Sequence, residues 1–164
     1  MDSWAKRLEI AVNVSILCAF IMVAALAAQR FWSARSPKSD PSIGTKISLP
    51  GVDWSKSNEN LVLALSTTCH FCSESAKFYK KLVPAAVDRG VSVVAVLPQP
   101  FVAGQSYLEG LGVSVPTVLQ SSLATIDVSG TPTLLVVDAN GKIRKAWVGK
   151  LSPELEEQVM ASLR

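Results

Sequence analysis

Apolar residues fall along the chain in one long block followed by short runs separated by polar, proline and glycine stretches. The block Ile10 to Ala28 has 19 residues without charge, and Asn13 and Ser15 are its strongly polar members. At helical rise it would measure about 28 Å, close to the hydrocarbon thickness of a bilayer, so the pattern predicts one membrane-spanning helix. Arg30, Phe31 and Trp32 follow it as an interfacial anchor. The rival reading is a cleaved signal peptide, with Lys6 and Arg7 as its basic start and Ala25-Leu26-Ala27 as a small-residue cleavage site; the length of the block favours an uncleaved anchor. Ser33 to Gly44 is polar and broken by proline, which makes it a tether between an anchor (1–32) and one folded domain (45–164).

Within that domain the periods alternate. Lys46 to Leu49 reads as a short edge strand or extended piece, Trp54 to Asn60 as a loop, and Leu61 to Ser66 as a strand. Ala76, Tyr79, Leu82, Val83 and Ala86 then recur at helical intervals with Lys77, Lys80 and Lys81 between them, predicting one helix from the cysteines to about Arg89, kinked at Pro84 and ended by Gly90. Val91 to Leu97 is an apolar run of strand length, as a parallel strand buried on both faces would be, and it closes a βαβ unit. Phe101 to Leu111 fits a short helix and Val113 to Leu119 an additional strand. Leu134 to Val137, the turn Asp138-Ala-Asn140-Gly141 and Lys142 to Val148 form a β-hairpin. Ser152-Pro153-Glu154 caps a last helix whose Leu155, Val159 and Leu163 should face the sheet. The fold class is therefore α/β, a central mixed sheet flanked by helices and preceded by a transmembrane helix.

Charge adds little. The net +3 comes from 16 basic and 13 acidic residues scattered without a basic stripe or interleaved aromatics, so nucleic acid is not among the expected partners.

Chemistry is concentrated in Cys69-His70-Phe71-Cys72, which sits where a strand hands over to a helix. Unpaired N–H groups and the positive end of the helix dipole favour a thiolate at Cys69, and a second thiol one turn on can resolve a mixed disulfide. Half of a zinc site is the competing reading, but only His70, inside the loop, and Cys18, inside the apolar block, remain as further ligands. Cys18 reads as a small apolar filler, with acylation as the minor alternative. Orientation is not decided by flanking charge, since Lys6 and Arg7 lie on one side and Arg30, Arg35 and Lys38 on the other; an exported, oxidising location follows from the cysteine chemistry.

This order of parts resembles the thioredoxin fold and, more narrowly, the membrane-tethered TlpA-like redoxins. The resemblance covers roughly Thr45 to Arg164 and rests on Cys69-His-Phe-Cys72 together with Gly130-Thr-Pro-Thr133, Leu134 to Asp138 and Asn140-Gly141-Lys142; Phe101 to Leu119 is similar to the insertion of those redoxins. It implies a thiol–disulfide oxidoreductase that needs no cofactor, because the electrons reside in the cysteine pair. It further implies Cys69 as attacking thiolate, Cys72 as resolving thiol, and a cis Pro132 beside them. Thr131 would then pair its backbone with an extended partner segment, the partners being protein thiols or disulfides and a redox protein that supplies or accepts electrons. Val115-Pro116-Thr117 has similar composition, but only Pro132 precedes the hairpin and last helix.

Three positions depart from the family. Thr68 stands where a tryptophan is common, Leu63 where thioredoxins bury an acid that helps Cys72 lose its proton, and His70 is the first loop residue where the known histidine loops resemble cysteine-x-histidine-cysteine. Two readings of His70 stand open: a redox-tuning group that, when protonated, favours the Cys69 thiolate, or a tolerated exposed residue. Phe71 shapes an apolar rim or packs the loop. A peroxidase of the peroxiredoxin type, suggested by Ser66 three residues before Cys69, lacks the accompanying proline, since Val62 holds its place; a non-enzymatic adaptor is the remaining alternative. The expected location is the cell membrane, single-pass, with the catalytic domain outside the cytoplasm and periplasmic in a Gram-negative source.

Overall fold

The computed structural model describes residues 16–17, 20–23 and 41–163. Residues 16–17 and 20–23 are helical with exposed apolar side chains. Among the described residues no helix is long and apolar enough to cross a membrane. The expected 10–28 span as a whole, Cys18, Arg30 to Trp32 and most of the tether lie outside the described residues.

The apolar runs become the middle of a five-stranded sheet. Its strands are β1 (Glu59–Ala64), β2 (Ser92–Leu97), β3 (Thr117–Gln120), β4 (Thr133–Asp138) and β5 (Ile143–Val148), in the order β3-β2-β1-β4-β5. β1, β2 and β3 run parallel, while β4 and β5 are antiparallel to their neighbours, so the sheet is mixed. β1, β2 and β4 are almost entirely buried, which is why they read as unbroken Leu and Val. The extra strand is shorter than Val113 to Leu119, because Val113 instead closes the turn after the preceding helix by donating its N–H to Leu108 O at 2.9 Å.

One face of the sheet packs on α2 (Ala76–Asp88) through Phe78, Tyr79, Leu82, Val83 and Ala86, on Leu108 of α3 (Phe101–Gly110), and on Val159 of α4 (Pro153–Ser162). Leu163 joins them, but Leu155 does not: it is 39% exposed, so the last helix presents Val159 and partly Met160 to the core. The other face is covered by Ile47, Leu49, Trp54, Ile126 and Val128, from extended chain and two short 3-10 turns rather than from an α-helix.

The single helix expected after the cysteines is two. α1 (His70–Glu74) ends at Ser75, whose hydroxyl and N–H both donate to Phe71 O, at 2.8 and 3.1 Å. A serine that satisfies a carbonyl of the preceding turn with its own side chain competes with continued helix, so the break falls there. Pro84 lies inside α2, which continues past it to Asp88.

The hairpin forms on Asn140-Gly141 as expected. Asp138 Oδ1 accepts from Asn140 N (2.9 Å) and Lys142 N (3.0 Å), and Gly141 takes φ +80°. A Cβ on Gly141 would lie 2.8 Å from Ile47 O and 2.9 Å from Trp54 Cδ1, so backbone approach as well as turn geometry requires glycine. That approach belongs to the incoming chain. Pro41 is buried, and after a turn at Gly44 the chain lies along the start of β5 through Gly44 N to Ile143 O (2.7 Å), Ile143 N to Thr45 O (2.9 Å) and Ile47 N to Gly141 O (2.8 Å).

Candidate active site

The parallel strands β1 and β2 deliver two loops to their carboxyl ends, where open α/β sheets place binding sites. The β1 loop carries the thiols. Cys69 is the extended N-cap of α1 (φ −89°, ψ 108°), and its sulfur accepts the Cys72 N–H at 3.2 Å. Its own N–H donates to Ser66 O at 3.1 Å. One turn later Cys72 is fully buried, while Cys69 is partly exposed, and both are free thiols.

Thr131 and Pro132 arrive beside them from the start of β4. The Thr131–Pro132 peptide is cis, Pro132 is buried, and the Thr131 hydroxyl faces both sulfurs. Pro132 O accepts Gly149 N (2.7 Å) and Thr133 donates its hydroxyl to Gly130 O (2.7 Å), which fixes the loop on both sides. Pro116, by contrast, is exposed at the lip of edge strand β3.

The two thiols are driven apart in acidity. Partial burial pushes Cys69 up, but hydrogen bonds from the Cys72 thiol, the Thr131 hydroxyl and the Cys72 and Phe71 backbone N–H groups outweigh it, and the net direction is down. Burial pushes Cys72 up to about 12, aided by its hydrogen bond with Cys69 and the nearby Cys69 charge, and opposed by the Ser66 N–H and Thr131. A low-pKa sulfur at the surface and a high-pKa sulfur beneath it can divide nucleophilic attack from resolution.

His70 and Phe71 form the rim. The imidazole, 80% exposed, sets its Nε2 3.2 Å from Glu74 Oε1, and Glu74 Oε2 accepts from Lys150 Nζ at 3.0 Å. His70 is thus turned to Glu74, and the groups that hold the Cys69 thiol down are those named above. Phe71 is 53% exposed rather than packed in the loop, its ring centroid 5.9 Å from that of His70.

Several residues here escaped the sequence reading. Ser66 turns a backbone N–H toward Cys72, Gln99 from the β2 loop bonds to Ser66 and Thr67, and Tyr79 and Tyr107 bring phenols close enough to the sulfurs that the thiolate charge adds to burial in raising their pKa values. Tyr107 also pairs with Ser73 at 3.0 Å. Leu63 is fully buried in the same cluster as Cys72, so the floor of the site is hydrocarbon at the position where an acid was noted for thioredoxins. Position after a buried parallel strand was the available signal for Gln99.

No family model matches the chain. Solved structures resemble it over most of the described domain. The thioredoxin domain of a thiol-disulfide oxidoreductase from Bacteroides vulgatus superposes with a TM-score of 0.56 at 20% identity, covering 77% of this chain and 99% of that one. A thioredoxin-family thiol:disulfide interchange protein from Chlorobium tepidum gives 0.57 at 19%, covering 76% and 99%. The domain has a thioredoxin fold. Within that fold, curated relatives are the thiol-disulfide oxidoreductases ResA of Halalkalibacterium halodurans and Geobacillus thermodenitrificans, each 26% identical over 102 residues, 60% of this chain. The matched region spans 58% and 59% of the length of those relatives. The resemblance to thioredoxin-fold redoxins drawn from the motifs is thereby borne out.

Proposed function

We propose that the chain is a membrane-anchored thiol–disulfide oxidoreductase whose domain works outside the cytoplasm, exchanging a Cys69–Cys72 disulfide with partner proteins. The observation that carries the reading is the opposed acidity of two thiols one turn apart beside Thr131-Pro132. Relatives named thiol-disulfide oxidoreductase support it. The apolar 10–28 stretch supports the anchor, and the chemistry of an exchanging disulfide supports the compartment.

In the reducing direction the Cys69 thiolate attacks a partner disulfide, one partner sulfur leaves as thiolate, and a mixed disulfide joins Cys69 to the other. Cys72 then loses its proton and attacks Cys69 Sγ; the intermolecular S–S bond breaks, the Cys69–Cys72 bond forms, and two electrons have passed to the partner. Oxidation of a partner dithiol is the same sequence in reverse, and the reduction potential of the pair sets which runs. The Thr131 backbone would align an extended partner segment, with Phe71 as an apolar contact at the rim.

The test is trapping. Cys72→Ser should accumulate mixed disulfides with client proteins and Cys69→Ser none; the opposite pattern reverses the roles, and trapping by neither removes the activity. The anchor is tested on the full chain by alkaline carbonate extraction, where release into the soluble fraction with a new N-terminus near residue 28 would establish a signal peptide instead.

A further inference from the structure

Ser66 is a hub beneath the thiols. Its carbonyl accepts the Cys69 N–H at 3.1 Å, its hydroxyl lies 3.1 Å from Thr68 Oγ1, and its N–H is turned toward Cys72, where it opposes the effect of burial on that thiol. The residue that holds this hub comes from another loop. Gln99 Nε2 donates to Ser66 Oγ at 2.9 Å and Gln99 Oε1 accepts the Thr67 N–H at 3.3 Å. A backbone N–H can only donate, which orients the amide: oxygen toward Thr67, nitrogen toward Ser66. Gln99 stands between Pro98 and Pro100, whose fixed φ angles and missing N–H groups leave its loop few alternatives. Its hydrogen bonds run to Ser66 and Thr67 and not to either sulfur.

We propose that Gln99 is a positioning residue for the second chemical step, clamping Ser66 so that its N–H meets the charge developing on Cys72 as the mixed disulfide is resolved. This inference rests on the redox reading above. In that step Cys72 attacks Cys69 Sγ as a thiolate, the partner sulfur leaves as thiolate and takes up the proton that Cys72 has given up, and the Cys69–Cys72 bond forms. Negative charge gathers on a sulfur buried in hydrocarbon, where a hydrogen bond to a charged group counts for more than an ordinary one. The first step generates no charge on Cys72 and has no need of the clamp.

The separation of steps supplies the test. Reduced protein is mixed rapidly with oxidised glutathione, quenched with acid and weighed, so that formation and decay of the Cys69–glutathione disulfide are read separately. Gln99→Leu, at a partly buried site, should lengthen the life of that disulfide about three- to tenfold and leave its rate of formation within about twofold. Ser66→Ala, which removes the acceptor on the other side, should reproduce the effect, and the double variant should add nothing to the larger single one. Unchanged decay in both variants, or equal slowing of both steps, overturns the role of Gln99 alone. If wild type and Cys72→Ser both fail to form the mixed disulfide, the redox reading falls and takes this role with it.

Discussion

The rim and the floor of the site are built from different materials, although their sulfurs are three residues apart. Around Cys69 the groups are polar and exposed: the His70–Glu74–Lys150 chain, the Thr131 hydroxyl and the first N–H groups of α1. Around Cys72 they are Leu63, Leu65, Leu134 and the ring of Tyr79, all buried. The contrast shows where each kind of interaction can work. A thiolate at the rim is stabilised by donors aimed at it, whereas charge at the floor is opposed by the solvent-free surroundings themselves.

The largest expected effect is on pH response. In the reduced protein, half-maximal alkylation of Cys69 by iodoacetamide should fall below the ordinary thiol value of 9.0, while Cys72 resists until the pH approaches 12. Stability follows the same division. Cys72 has a folded pKa raised above its unfolded one, so its contribution is complete below about pH 9 and is lost as pH climbs toward 12, by an amount on the order of a few kcal/mol. Cys69 has the opposite sign: its contribution is present above 9 and lost as pH falls through its lowered value. Denaturant titrations of reduced wild type against Cys72→Ser should isolate the alkaline loss. Similar alkylation of both cysteines at pH 8 would erase the contrast.

A smaller effect should come from Thr131→Val, which keeps the shape of the side chain and removes the hydroxyl facing both sulfurs. The alkylation midpoint of Cys69 should rise by about half to one pH unit, the size of one modest hydrogen bond. A fall would mean that the hydroxyl accepts from the thiol instead of donating to the thiolate.

Smallest of all should be Glu74→Gln. It cuts both rim contacts, to His70 and Lys150, but all three groups are open to solvent and screened by salt. The melting temperature and the Cys69 alkylation rate at physiological ionic strength should stay put. A change in that rate beyond about twofold would tie the rim charges to the thiol and restore a tuning role for His70.

What the sequence made legible was whatever repeats or stands at a fixed interval. The buried strands announced themselves as apolar runs, the hairpin through Asn140-Gly141, and the thiols by their position between a strand and a helix. Thr131 and Pro132 came from likeness to a family, and only the backbone of Thr131 was anticipated; its hydroxyl acts on the sulfurs because the fold brings two distant loops together. Ser75 ends a helix with one side-chain hydrogen bond, an event without period. Leu155 sits at helical spacing from Val159 and still faces solvent, since a stripe of three apolar positions, the last of them Leu163 just past the helix end, does not fix how a short helix is rolled. Gln99 was invisible for the same reason as the Thr131 hydroxyl: its meaning lies in a neighbour 33 residues earlier.

The segment at 44–47 gives the domain a mechanical polarity. It is laid against the turn of the hairpin, beside Gly141 and Ile143, while Thr133 at the far end of the same hairpin borders the thiols. Tension arriving from residues before Pro41 would load the three backbone hydrogen bonds to Gly141 and Ile143, with Ile47 and Leu49 acting as plugs in the core beneath. The handle of the domain and its chemistry therefore sit at opposite ends of the sheet, and a tug on one need not disturb the other.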